Sequence, residues 1–166
     1  MRILIFTEGT ILTHRRHMGL PRERTVELVK NHKGPLGVEY FSDFVPIGNS
    51  AKKIKEWKKQ GTDILYLTSR RTLQEVQTIR VVLAKHDFPS GDLLFRKAGE
   101  EYKDVAERAL PDVIIEDDCE SIGGEKEMTY PHIKQALKTR IKSIVVKEFG
   151  GIDHLPHIAS DLPNYN

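Results

Sequence analysis

Apolar residues come in short unbroken runs separated by amphipathic stretches. Ile3-Leu4-Ile5-Phe6, Ile64-Leu65-Tyr66-Leu67, Leu93-Leu94-Phe95, Val113-Ile114-Ile115 and Ile144-Val145-Val146 carry no polar residue. Such runs predict strands buried on both faces, the pattern of a parallel sheet. The stretches between them have helical spacing. Asn49-Ser50 predicts a cap for a helix over 51–60 that Gly61 ends, with Ile54 and Trp57 on one face and lysines on the other. Thr72 opens a second helix whose stripe is Leu73, Val76, Ile79, Val82 and Leu83; 100–110 is a third, stopped by Pro111, and 131–138 a fourth. Strand-helix alternation of this kind predicts a three-layer α/β domain: a parallel sheet, helices on both faces, right-handed crossovers.

Residues from about 12 to 48 break the alternation. Pro21 followed by Val26 and Val29 predicts a short helix that stops at Asn31-His32-Lys33-Gly34-Pro35. The aromatic stretch Val38-Glu39-Tyr40-Phe41-Ser42-Asp43-Phe44-Val45-Pro46 fits either a helix or a strand. The segment reads as a small cap inserted after the first strand of a single domain spanning 1–166. The tail after Gly150 has no clear period.

Composition narrows the class. At 166 residues, 39% hydrophobic and 30% charged, the chain fits one globular domain. A net charge of +2 gives no strongly basic nucleic-acid footprint, and no apolar run is long enough to cross a bilayer. The single cysteine, Cys119, cannot form an internal disulfide, and Arg2 leads straight into the first strand. These features predict a cytoplasmic protein without a nucleic-acid or membrane partner.

Chemistry concentrates where the strands stop, the end at which open α/β sheets bind ligands. The first strand runs into Thr7-Glu8-Gly9-Thr10, the second into Thr68-Ser69-Arg70-Arg71, and the fourth into Glu116-Asp117-Asp118. Hydroxyls and amides that open a helix suit an anion, and adjacent carboxylates suit a hydrated Mg²⁺. His14-Arg15-Arg16-His17 is a basic run beside the first turn, which would attract an anion or simply be solvated. His154 and His157 have Pro156 between them, which argues against a shared helical zinc face.

A hydrophobic strand followed by acid-Gly-Thr resembles the first motif of the haloacid dehalogenase-like (HAD) phosphohydrolases, Asp-x-Asp-Gly-Thr. Thr68-Ser69 resembles the second motif, Lys103 the third and Glu116-Asp117-Asp118 the fourth, in the family's order; the layout is closest to its nucleotidase-like phosphatases. The resemblance implies a HAD-like (Rossmann-like) fold in which Thr68, Ser69 and Lys103 hold a phosphate, with Lys97 as the rival lysine. It also implies Mg²⁺ held by the backbone carbonyl of Glu8 with Asp117 and Asp118, and an acid/base role for the Glu8 side chain. The family's nucleophilic aspartate falls on Phe6, which can neither attack phosphorus nor ligate a metal. Thr7 is no substitute, because alternation along the strand sends it to the other side.

The expectation is a degenerate HAD-like protein that binds a phosphorylated small molecule or nucleotide without phosphoaspartyl turnover. The alternatives are a Mg²⁺-dependent phosphohydrolase using metal-activated water and a scaffold for a protein partner.

Overall fold

A computed structural model describes residues 1–165. The strands β1 (Arg2–Phe6), β4 (Asp63–Leu67), β5 (Asp92–Leu94), β6 (Val113–Asp117) and β7 (Lys142–Val146) form one parallel sheet in the order β5-β4-β1-β6-β7. The most hydrophobic run of the chain thus lies at the centre, paired to β4 and β6.

Alternation along the strands divides the core in two. Ile3 and Ile5 face one side with Trp57, Ile79 and Ile115, while Leu4 faces the other with Leu65, Val105 and Ile114. The first side is covered by α3 (Ser50–Lys59) and α4 (Leu73–Lys85), the second by α5 (Tyr102–Ala109). Thr72 starts α4 with a reciprocal capping box to Glu75.

The fourth strand extends two residues beyond its apolar run. Register with β7 continues through Glu116↔Val145 and Asp117↔Val146, so backbone pairing carries the acidic residues into the strand. The helix expected over 131–138 is reduced to α6 (Gln135–Lys138), preceded by 3₁₀ turns at Gly124–Glu127 and Tyr130–His132. The buried Glu116 carboxylate explains this, since it accepts the amides of Thr129 (2.6 Å) and Tyr130 (2.9 Å) and fixes that loop.

Segment 12–48 contains β2 (Leu12–His14), a 3₁₀ turn, α1 (Arg22–Lys30), α2 (Val38–Ser42) and β3 (Phe44–Pro46). β2 and β3 pair antiparallel as a separate two-stranded sheet beside the main one. The ambiguous aromatic stretch is therefore helix and then strand. Phe41 and Phe44 are buried in its core, and Tyr40 stacks on His14 at 4.0 Å.

The tail is packed, although its sequence has no period. Ile152, Leu155, Ala159 and Leu162 join the first core cluster. α3 fastens it from above: Lys53 Nζ donates to the Leu155 carbonyl (2.6 Å), Trp57 Nε1 to Pro156 (2.9 Å) and Gln60 Nε2 to His157 (2.9 Å). No helix among the described residues is long and apolar enough to cross a membrane.

Candidate functional site

β1 delivers Thr7-Glu8-Gly9-Thr10 to the carboxyl edge of the sheet, and Gly9 makes the turn there with φ +81°. A Cβ on Gly9 would stand 2.8 Å from Asp117 Oδ2, so glycine serves both the backbone conformation and the close approach of β6. Thr10 Oγ donates to that same Asp117 oxygen at 2.7 Å.

The Glu8 side chain turns toward β4. Its Oε1 accepts from Thr68 Oγ at 2.5 Å, and its Oε2 accepts from the Ser69 amide at 2.9 Å and Ser69 Oγ at 3.2 Å. Thr7 Oγ lies 2.8 Å from Oε2, and Arg70 Nε is 3.9 Å from Oε1. The hydroxyl-and-amide cradle that resemblance assigns to a phosphate thus encloses the protein's own carboxylate. Thr68 is fully buried beneath it, whereas Ser69 reaches a cavity above.

That cavity, about 450 Å³, is large enough for a small organic ligand. Segment 12–48 contributes His14, His17, Tyr40 and Phe41 to its wall. The core contributes Phe6, Tyr102, Arg70, Arg71 and Arg96. The Phe6 ring meets Tyr102 edge-on at 5.5 Å, and the Arg96 guanidinium lies over the Tyr102 ring, 3.7 Å from its centroid. Arg70 sits over the Phe41 ring at 4.2 Å. Burial raises the Tyr102 hydroxyl above its ordinary pKa, partly offset by Arg96. The phenol is therefore a neutral donor and acceptor at physiological pH.

Neither lysine is in this wall. Lys103 occupies the outer face of α5, where its ammonium pairs with Glu101 at 2.6 Å and is raised by that hydrogen bond. Lys97 is exposed, and its amide donates to Glu100. The cations at the cavity are the three arginines.

The acidic residues divide by role. Glu116 grips the 129–130 loop and is raised by burial. Asp117, Asp118 and Glu148 bring one oxygen each within 4.8 Å of one another. Burial, with the Glu148 charge adding, pushes Asp117 up to about 6 despite the Thr10 hydroxyl. Glu148 is also raised by burial, against the amide and hydroxyl of Ser121 at 2.6 Å each. Burial opposes ionisation of Asp118 too, but the Glu148 amide and the Lys147 ammonium at 3.0 Å hold it below the usual carboxylate range.

Glu148 follows β7 and was not among the expected ligands; the only sequence signal for it is an acid just past a buried strand. The Glu8 carboxylate, to which the resemblance gives an acid/base role, is taken up by Thr68 and Ser69, while its expected metal ligand is the backbone carbonyl, a separate atom. Cys119 has φ +50°, which aims its amide at Asp117 Oδ1 (3.0 Å). Burial and the neighbouring carboxylates push its thiol far above the normal range, leaving it unreactive.

His154 and His157 form no metal site, since His157 Nδ1 instead meets Glu56 at 3.1 Å. The acidic trio at 117, 118 and 148 is the one potential metal-ligand group among the described residues.

No protein-family model and no curated protein matches this sequence. Solved structures do resemble it. The class C acid phosphatase from Bacillus anthracis, with tungstate bound, aligns at TM-score 0.60 and 17% identity over 90% of this chain and 68% of its own. A chain of the Pnkp1/Rnl/Hen1 complex aligns at TM-score 0.58 and 14% identity, over 89% of this chain and 46% of its own. At such identities the likeness concerns the fold, and the fold is the HAD-like three-layer α/β fold.

Proposed function

We propose that this is a HAD-like phosphohydrolase-fold protein that binds a phosphorylated small molecule or nucleotide and does not turn it over through a phosphoaspartyl intermediate. One observation carries the reading. The last side chain of β1 is a phenyl ring at the cavity wall, edge-on to Tyr102, where the chemistry needs a carboxylate. The rest of the site supports ligand binding: an enclosed cavity, three arginines and a wall of aromatic rings contributed by the 12–48 segment, acting as a cap.

Mg²⁺ fits the acidic trio. The donors are hard carboxylate oxygens, and two of the three acids are raised by burial in a way that a cation would relieve. Asp117, with Asp118 and Glu148, would hold it. Bound there, the ion would offset the negative charge of a phosphate ester beside the carboxylates. Thr10 keeps Asp117 oriented toward the β1 turn, and Ser121 does the same for Glu148.

Calorimetric titration with a panel of nucleoside monophosphates in Mg²⁺ tests the binding half; saturable binding is expected, and no binding by any of them overturns it. Hydrolysis of an aryl phosphate tests the other half. Release at the uncatalysed rate is expected, whereas turnover at about 1 s⁻¹ or more, ordinary for enzymes, refutes it.

A further inference from the structure

Three arginines share the cavity wall with carboxylates, yet only one of them makes an ion pair. Among the described residues, Arg70 alone of the three has a carboxylate within ion-pair range, Glu8 at 3.9 Å. Arg96 is laid flat over Tyr102 with one N–H near that hydroxyl (3.1 Å), while its Nε–H is buried and meets no acceptor in the protein. A buried donor without a partner is costly, so its retention on a residue of the cavity wall points to a ligand that supplies the acceptor. Guanidinium groups are well suited to a phosphate, which they bind through paired N–H donors.

The opposite argument applies to the cradle below. Glu8 accepts from Thr68 Oγ, Ser69 Oγ and the Ser69 amide, with Thr7 Oγ also in range. A phosphate there would have to displace a carboxylate that is already fully bonded, then sit beside it. Like charges at contact distance repel strongly in a site shielded from water. Thr68, moreover, does not reach the cavity.

We infer that the phosphate of the ligand is received by Arg70, Arg71 and Arg96, and that Glu8 is a built-in anion that keeps the Thr68–Ser69 cradle closed. The inference rests on the ligand-binding reading above and adds the location and class of the anion subsite. The wall arginines replace the expected lysine, and the aromatic partners Tyr102 and Phe41 hold two of them in place.

The test uses the whole chain with inorganic phosphate and AMP as probes, and adenosine as the control without phosphate. Arg96→Gln and Arg71→Gln should each weaken AMP binding about tenfold or more, the loss of one charge-assisted contact. Adenosine binding should stay the same, and Thr68→Val should leave AMP binding within about threefold of the parent. Loss in Thr68→Val with retention in both arginine variants overturns the inference but leaves the binding reading intact. A parent that binds neither probe defeats the binding reading itself.

Side-chain NMR on the unmutated protein supplies a second measurement that does not depend on any variant folding. On addition of phosphate the Arg96 Nε–H resonance should move while the Ser69 amide holds its position. The reverse pattern overturns the inference.

Discussion

At the scale of single residues, the substitution of consequence is the phenyl ring of Phe6. On the proposed reading it stands where the resembled motif carries a nucleophile and a metal oxygen, and its ring packs edge-on against Tyr102. Glu8 is the second such position, one methylene longer than the aspartate of the resembled motif and engaged by four donor atoms of Thr7, Thr68 and Ser69. Restoring both positions, Phe6→Asp with Glu8→Asp, should raise Mg²⁺-dependent hydrolysis of aryl phosphate above the parent; a folded double variant without any gain would count against the motif alignment. Asp117 belongs to the same scale. Its side chain is a buried member of an acidic trio that would hold the ion, so Mg²⁺ should raise the parent's melting temperature by a few degrees and Asp117→Asn should lose most of that increase. An equal increase in both proteins would place the ion elsewhere.

Elements carry their own strains and switches. α5 ends at Leu110, an exposed residue held in the left-handed region at φ 45°. Glycine accepts that conformation without the steric cost, so Leu110→Gly should stabilise the fold by up to about 1 kcal/mol in urea denaturation. The β2–β3 pair offers a pH effect. His14 is buried against Tyr40, and its Nδ1 accepts from the Arg16 amide. Burial, then the charges of His17 and Arg16, lower its pKa below 6.5, and His17 is lowered by burial as well. The folded state therefore favours neutral imidazole. The associated stability is complete above the unfolded pKa of about 6.5 and is lost as pH falls from there toward the folded value. The raised carboxylates of Asp117 and Glu148 act in the opposite sense over this range, so the readout is a difference: from pH 7.5 down to about 5 the parent's melting temperature should fall relative to that of His14→Gln. An identical slope in the variant would remove His14 as the source.

For the whole molecule, two long-range ties keep the parts in register. Arg22 at the start of α1 pairs with Glu120 in the loop after β6, which joins the 12–48 segment to the acidic end of the sheet. The tail crosses beneath α3 and buries Ile152, Leu155 and Leu162 almost completely. Three side chains at about 1.5–3 kcal/mol each amount to roughly 5 kcal/mol or more, comparable to the stability of an entire domain. Truncation after Gly151 should thus give a chain without a cooperative thermal transition. A truncated protein that melts like the parent would show the tail to be dispensable.

Local pattern was enough for the layers of this protein. Unbroken apolar runs specified the five strands, because a strand covered on both faces has no polar side to show, and punctuation by Asn49, Thr72 and Pro111 specified the helices between them. The phenyl ring at the end of the first strand was equally legible, since it needs only the order of residues along one strand. What the tertiary structure decided are matters of direction and partnership. Lys103 turns away because one face of α5 belongs to the core and the other to solvent, where Glu101 takes its charge. Glu148 enters the acidic trio because β7 lies beside β6, a neighbour relation that no local pattern contains. Glu8 closes the cradle because β1 and β4 end side by side, and the hydroxyls of one satisfy the carboxylate of the other across the gap.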